Sequence, residues 1–465
     1  LRRPRRRISR VPAATRAPRG VAGAFTLAVA YRVALALAGT CRVALGLGGT
    51  WRVALALAVA SRVALAAGGA VTAPAGGPVV GSQIFKDHRN PPAYRQLSDE
   101  EFSRYDLGMT VFNTQFVAAG TPNAGRRDGV GPLFNSSSCD ACHNNGAHGR
   151  GPTDEGPASG ALVIQLATPD STNLTDPDGD PVYGRIFNTI GLDGVPAEGI
   201  AMIHYEEKSG HYPDGSAWHL REPHYTFTKL NYGPLAARTI VKPRLAPALF
   251  GAGLLDAAHA RFGWQGSAVS VRDQTARAFS REMGLTSADI PHDDCTPAEV
   301  ACLEQPNGGS PEVSDELFAA VLGFELWLAV PASPTPHPTP DTDAKLFAQV
   351  GCVACHQPQM TVGIDGAPVK IAPYTDLRLH DLGNRLADKT VAGKTVTSRW
   401  RTAPLWGFGY RVSLERFPTF LHDGRARSVE EAILWHDGEA AAARKRFERL
   451  PAGQRKALVR WVETL

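Results

Sequence analysis

The pentapeptide Cys139-Asp140-Ala141-Cys142-His143 recurs as Cys352-Val353-Ala354-Cys355-His356, and this pair constrains the chain more than any other feature. Two thiols three positions apart, followed at once by an imidazole, form the attachment signature of c-type haem. Each thiol adds to one porphyrin vinyl group, a single turn of chain matches the gap between the vinyls, and the adjoining imidazole swings under the iron. A redox dithiol or half a zinc site would use the thiols and leave the histidine unexplained, twice. With only seven Cys and fourteen His in the chain, two chance matches are a poor explanation. The motif therefore assigns two covalently bound haem c groups to Cys139/Cys142 and Cys352/Cys355, with His143 and His356 as axial ligands.

The 465 residues leave room for two or three domains. A formal charge of +4 hides an asymmetry: residues 1–70 hold twelve Arg and no acid, which leaves 37 basic and 45 acidic residues, a net of −8, for the rest. The body is acidic, so no nucleic-acid partner is expected. Haem is attached to such thiols outside the cytoplasm, so export to the periplasm is expected. Cys295 and Cys302 are a close pair; in an oxidising compartment they either close a small loop as a disulfide or remain free thiols.

Residues 1–76 read as leader, low complexity and export signal rather than fold. Four decapeptides (YRVALALAGT, CRVALGLGGT, WRVALALAVA, SRVALAAGGA) each carry an Arg, so no apolar run reaches the ~18 residues of a membrane span. Membrane association is not required. A signal peptide fits residues 61–75. Residues 77–330 form an expected N-terminal cytochrome c-like domain. Its first helix starts at Ser98, with Glu101 completing a capping box and Phe102, Tyr105, Met109, Phe112 and Phe116 at helical spacing. A β-rich insertion follows, with short strands near 161–166, 201–205 and 224–230. Asp176, Asp178 and Asp180 read as a solvated turn or a Ca²⁺ site, though the other ligands of an EF-hand loop are missing. A Pro-rich linker at 331–341 leads to a C-terminal cytochrome c-like domain, 342–465. The expected class is mainly α, with irregular loops and some short β-strands, in two haem domains.

An ordered set of motifs adds to this. Gly131-Pro132-Leu133-Phe134-Asn135, Tyr232-Gly233-Pro234-Leu235, the stretch 247–255 (PALFGAGLL) and the Cys295/Cys302 pair precede Pro311-Glu312-Val313. Then come Leu379-His380-Asp381-Leu382-Gly383, Arg401-Thr402-Ala403-Pro404-Leu405 and Phe420-Leu421-His422-Asp423-Gly424-Arg425. Over about residues 80–465 the chain resembles the di-haem oxidoreductase family, relatives of bacterial di-haem cytochrome c peroxidases and of MauG. Leu382 departs from the Met that the resemblance leads one to expect after His-Asp. The resemblance implies two facing haem domains, one haem receiving electrons and the other meeting the oxidant.

Candidate residues follow from residue type and from that resemblance. A peroxidatic site needs a group that takes a proton from one peroxide oxygen and returns it to the other. Met202, His204, Glu206, Glu207, His211, His219 and His224 crowd one stretch, and Glu206 and His204 stand at alternate strand positions facing one side; these two are the candidate acid–base pair. The resemblance places His422 near haem propionates, with Arg425 as their bidentate partner. His380 reads as a packing or propionate contact ahead of a ligand. Ser428 with Glu431 starts a further helix, and helical spacing sets His436 on the apolar face of Val429, Ala432 and Ile433. The resemblance makes His436 the second axial ligand of the C-terminal haem. The leading expectation is an exported peroxidase that reduces hydrogen peroxide with electrons from a small redox protein, a cytochrome c or a cupredoxin. The alternatives are a non-enzymatic electron-transfer cytochrome and a MauG-like oxidase that modifies protein side chains.

Overall fold

Ser98 caps α1 (Asp99–Phe112) as its sequence requires: its hydroxyl accepts the Glu101 N–H, and the Glu101 carboxylate accepts the Ser98 N–H. The computed structural model describes residues 82–83, 85, 90–158, 160–171, 176–334 and 340–465. The decapeptide repeats, the signal segment, and Pro336 and Pro338 of the proline run lie outside these residues. The single turn α2 (Cys139–Cys142) carries the first motif. Two capped helices, α3 (Val271–Met283) and α4 (Asp315–Trp327), complete the helical group around it, with Ser270 and Ser314 accepting the Asp273 and Leu317 N–H groups. Helices α1 and α4 cross at Gly108, where a Cβ would lie 1.9 Å from the Ala320 carbonyl oxygen. Only glycine lets the backbones come this close. Tyr105, Phe112 and Phe324 pack across the crossing, with ring centroids 5.1–5.3 Å apart.

A second helical group surrounds the second motif: α5 (Pro340–Val350), α6 (Val429–Trp435), α7 (Ala441–Glu448) and α8 (Ala452–Val462). Phe347 of α5 meets Trp461 of α8 at 4.9 Å between centroids. Trp435 and Trp461 are both 1% exposed, so each contributes a large apolar area to this core.

The expectation of a mainly α class is corrected by the sheets. Among the described residues there are five antiparallel sheets and one short parallel pair. The largest has five strands, which we number in chain order with the hairpin between them: β1 (Leu162–Ala167), β2 (Ile186–Phe187), β3 (Ile200–His211), β4 (Ala217–Thr228), β5 (Ile240–Leu245), β6 (Asp388–Thr390) and β7 (Thr395–Thr397). Its order is β7–β6–β5–β1–β2. Strands β3 and β4 form a separate hairpin of twelve residues each, paired from Ile200↔Thr228 to His211↔Ala217. The strand content was under-read for two physical reasons. The outer half of the hairpin is too polar to show a hydrophobic period, yet its backbone ladder sustains it. Strands of three residues such as β6 have no local signature and exist because a distant edge pairs them.

That sheet joins the two motif-bearing regions, with Lys389 of β6 opposite Val241 of β5. Arg244 meets Asp388 through two hydrogen bonds, at 2.9 and 2.6 Å, and both side chains are buried. Arg221 donates to the carbonyls of Arg425 and Gly424. Of the two readings of Cys295 and Cys302, the disulfide is present, with an S–S distance of 2.03 Å. No described helix is long and apolar enough to cross a membrane.

Candidate functional site

The first motif is shaped by local hydrogen bonds. Ser138 caps α2 through the Ala141 N–H, and the His143 N–H closes the turn on the Cys139 carbonyl at 2.9 Å. This leaves Cys139 and Cys142 on one turn as free thiols. The His143 ring is fixed from a distance: its Nδ1 lies 2.8 Å from the Pro247 carbonyl oxygen. A carbonyl only accepts, so Nδ1 carries the proton and Nε2 keeps its lone pair. Burial pushes this imidazole down to about 4, so it is neutral at pH 7. A neutral ring with Nδ1 tied to a backbone carbonyl is the form in which histidine binds a metal.

The second motif repeats the arrangement. Gly351, in a left-handed conformation, turns the chain out of α5 into the 3₁₀ turn Cys352–Ala354. The His356 N–H reaches the Cys352 carbonyl at 2.9 Å, and His356 Nδ1 donates to the Tyr374 carbonyl at 3.0 Å. Burial, then the neighbouring His436, lowers this ring to about 4. Cys352, Cys355 and His356 line a cavity of about 320 Å³ that also takes in Val429, Ala432, Ile433 and His436. The helical face read from the sequence is therefore the face that meets the cavity. His436 is not inside the helix, however; it is the residue capping α6. Its Nδ1 donates to the Ala432 carbonyl at 2.7 Å, and its own carbonyl accepts Arg444 Nε at 2.7 Å. Burial lowers its pKa. His356 and His436 thus present two neutral, carbonyl-tethered imidazoles to one cavity.

Two buried donors on the same wall lack partners. Arg401 gives Nε to the Gly263 carbonyl, but its Nη1 has no hydrogen bond, and neither has Trp400 Nε1. Burial pulls the Arg401 guanidinium down to about 10. A buried cation with an open donor calls for an anion, and haem carries two carboxylates. The residues present therefore fit the group: thiols for attachment, imidazoles for iron, and Arg401 with Trp400 for a carboxylate.

Other expected residues are placed differently. His422 lines the cavity, 4% exposed and stacked on Trp400 with centroids 3.7 Å apart. Arg425 does not line it. Its guanidinium is spent on Asp423, at 2.9 and 2.7 Å, and on the Arg385 carbonyl. His380 lines the cavity with both ring nitrogens bonded to carboxylates, Asp376 at 2.8 Å and Glu439 at 2.7 Å. Burial opposes its charge, but the two carboxylates outweigh burial and raise its pKa. With both nitrogens engaged, neither a lone pair for iron nor a ring donor for a propionate remains.

Glu206 and His204 share a face of β3, as alternation predicts, but it is the outer one. The inner residues Ala201, Ile203 and Tyr205 pack with Tyr225, Phe227 and Cys142, while the side chains of His204 and Glu206 are 51% and 60% exposed. The three aspartates of the turn are occupied. Asp180 is buried and accepts from the N–H groups of Val182 and Ala236. Asp176 pairs with Arg185, Arg277 and Arg281, and Asp178 faces Arg185.

Two carboxyls near the first motif were not assigned a role from sequence. Glu325 of α4 is 8% exposed, accepts the Thr275 hydroxyl and acts electrostatically on Cys139. Glu282 of α3 does the same to Cys142, and its Oε2 is buried without a partner. Burial raises both to about 7. For Glu325 a signal existed: an acid between Phe324 and Leu326 on an apolar helix.

The sequence profile described as "Di-haem oxidoreductase, putative peroxidase" matches residues 63–170 and 254–465. The chain belongs to the di-haem oxidoreductase family. Family membership implies two haem groups. No curated protein matches the chain. Among solved structures, a chain titled Kuenenia stuttgartiensis hydrazine synthase pressurised with 20 bar xenon is similar at 13% identity and TM-score 0.36, covering 84% of this chain and 100% of that one. A likeness that slight supports no conclusion about fold or activity.

Proposed function

We propose that this di-haem oxidoreductase is an exported c-type enzyme that reduces hydrogen peroxide. Electrons would come from a small redox protein, a cytochrome c or a cupredoxin, and enter at the C-terminal haem. The observation that carries this reading is the asymmetry between the two motifs. The second motif opens on a cavity where His356 and His436 both offer Nε2. Two imidazoles on one iron fill its coordination and suit it to electron transfer. The first motif instead lies within electrostatic reach of Glu325 and Glu282, which burial raises to about 7. A carboxyl with that value can accept a proton from one peroxide oxygen and return it to the other at neutral pH.

When bound, haem iron supplies the electron transfer and the oxidant chemistry. The chain's residues do the rest. His143, His356 and His436 are held as neutral donors by Pro247, Tyr374 and Ala432. Arg401 and Trp400 would orient a haem carboxylate. The Cys295–Cys302 disulfide is in keeping with an oxidising compartment.

The test is the spectrum of the resting and half-reduced holoprotein, with and without peroxide, for the parent and His436→Ala. One low-spin and one high-spin haem are expected, with peroxide consumed only when a reduced carrier is supplied. His436→Ala should convert the low-spin haem to high spin. Two low-spin haems in the parent, and no turnover, would instead indicate an electron-transfer cytochrome. A high-spin haem that oxidises a protein side chain without peroxidase turnover would indicate the MauG-like alternative. An unchanged low-spin signal in His436→Ala would remove that residue from the iron.

A further inference from the structure

The outer face of the β3–β4 hairpin carries a second group of metal-ligating side chains, remote in chemistry from either haem motif. In the register of the hairpin His204 stands opposite His224, and Glu206 opposite Glu222. Alternation sends all four to the same side, and directly opposed residues have Cβ atoms about 4.5–5.5 Å apart. The ligand atoms of Glu206, Glu222 and His224 already lie within 4.8 Å of one another. His224 Nε2 is 3.4 Å from Glu206 Oε2. His204 Nδ1 faces the Glu155 carboxylate at 3.8 Å from the adjoining edge. We propose that His204, Glu206, Glu222 and His224 form a surface site for a divalent transition metal of the zinc type.

Geometry and donor chemistry both favour that class. Zinc binds imidazole nitrogen and carboxylate oxygen at about 2.0–2.2 Å, so the Glu206, Glu222 and His224 donors, within 4.8 Å of each other, need only small rotations to close on one ion, and His204, which faces Glu155 at 3.8 Å, must swing across to join them. Two imidazoles with carboxylates select zinc, copper or nickel over calcium and magnesium, which take oxygen ligands. The carboxylate pair already attracts a cation. Lys208 Nζ lies 2.5 Å from Glu222 and 3.9 Å from Glu206, and Lys389 Nζ lies 2.8 Å from Glu222. A metal would displace the Lys208 ammonium and take its place between the two acids. That competition sets the sign of one variant: removing Lys208 should tighten binding, where loss of a ligand weakens it.

The experiment is calorimetric titration of the full holoprotein with Zn²⁺, haem absorbance being followed as a check on fold. One saturable equivalent is expected. His224→Ala should weaken it at least about tenfold, since loss of even an outer partner of a ligand costs that much, and Glu206→Gln should act in the same direction. Lys208→Met should lower the Kd. His219→Ala, on the opposite face of β4, should leave it unchanged. Absence of saturable binding in the parent, equal binding in His224→Ala, or weaker binding in Lys208→Met would each overturn the proposal.

Discussion

Replacing Gly108 by Ala tests the helix crossing that frames the first motif. A Cβ at this position would lie 1.9 Å from the Ala320 oxygen, 2.5 Å from the Ala320 carbonyl carbon and 2.9 Å from Phe324 Cβ. Real contacts below 3.0 Å are essentially never seen, so α1 and α4 must part by more than an ångström. The blocking atoms are backbone and cannot rotate away. Forcing extra volume into a packed core costs about 1–3 kcal/mol, and a backbone clash places this case at the upper end. The gain in helix propensity from Gly to Ala returns about 1 kcal/mol, which leaves a net loss of about 2 kcal/mol. The displaced Phe324 touches Phe112, whose ring lies 6.4 Å from that of His143, so the strain reaches the motif. Denaturant unfolding followed by far-UV circular dichroism should show a lower midpoint with an unchanged slope. Adding Ala320→Gly should not rescue it, because the obstacle is the carbonyl and not the Ala320 methyl. An equal or higher midpoint in Gly108→Ala, or full rescue by Ala320→Gly, would refute the reasoning.

Three further outcomes are expected. Burial favours the neutral acid at Asp423, but the Arg425 guanidinium outweighs it and holds the carboxyl down from 3.8 to about 2; its contribution to stability is therefore full above the ordinary value and lost as pH falls through about 2. Asp423→Asn, which strands a buried guanidinium, should cost about 3–5 kcal/mol at neutral pH, and an acid titration of the folded state should show less loss below pH 4 than in the parent. Glu325 has the opposite sign: burial raises it from 4.5 to about 7, so its stabilising effect is present below the ordinary value and fades as pH rises through 7. Glu325→Gln should therefore gain stability relative to the parent between pH 5 and 8, and a constant difference across that range would exclude a titrating Glu325. Replacing Cys295 and Cys302 by Ser opens a short loop and should lower stability by about 2–3 kcal/mol in a chain-entropy estimate, measured as the shift in unfolding midpoint between the unreduced parent and the variant.

What the sequence by itself determined is what chemistry and period write over a few residues. The spacing of Cys139, Cys142 and His143, and of Cys352, Cys355 and His356, is a requirement of one turn of chain, and it needs no knowledge of the fold. Ser98 with Glu101 marks the start of α1 for the same reason, and the 3.6-residue period puts Val429, Ala432, Ile433 and His436 on one side. The strands of the hairpin were legible only in their inner halves, from Ala201 to Tyr205 and from His224 to Thr228. Their extension to His211 rests on backbone pairing alone. Tertiary structure decided which of two equivalent local answers was used. Period two sets His204 and Glu206 together, but the packing of Ile203 and Tyr205 beside Cys142 turns that pair outward. Residue type makes Arg401 and Arg425 equal candidates for a carboxylate, yet Asp423 satisfies Arg425, whereas Arg401 lines the cavity and keeps one buried guanidinium nitrogen without a partner. Side-chain spacing is a property of neighbours in the chain, and so is the Asp423–Arg425 pair, two residues apart; burial depends on partners tens to hundreds of residues away. Those partners exist only once β5 has met β6 and the two helical groups have closed.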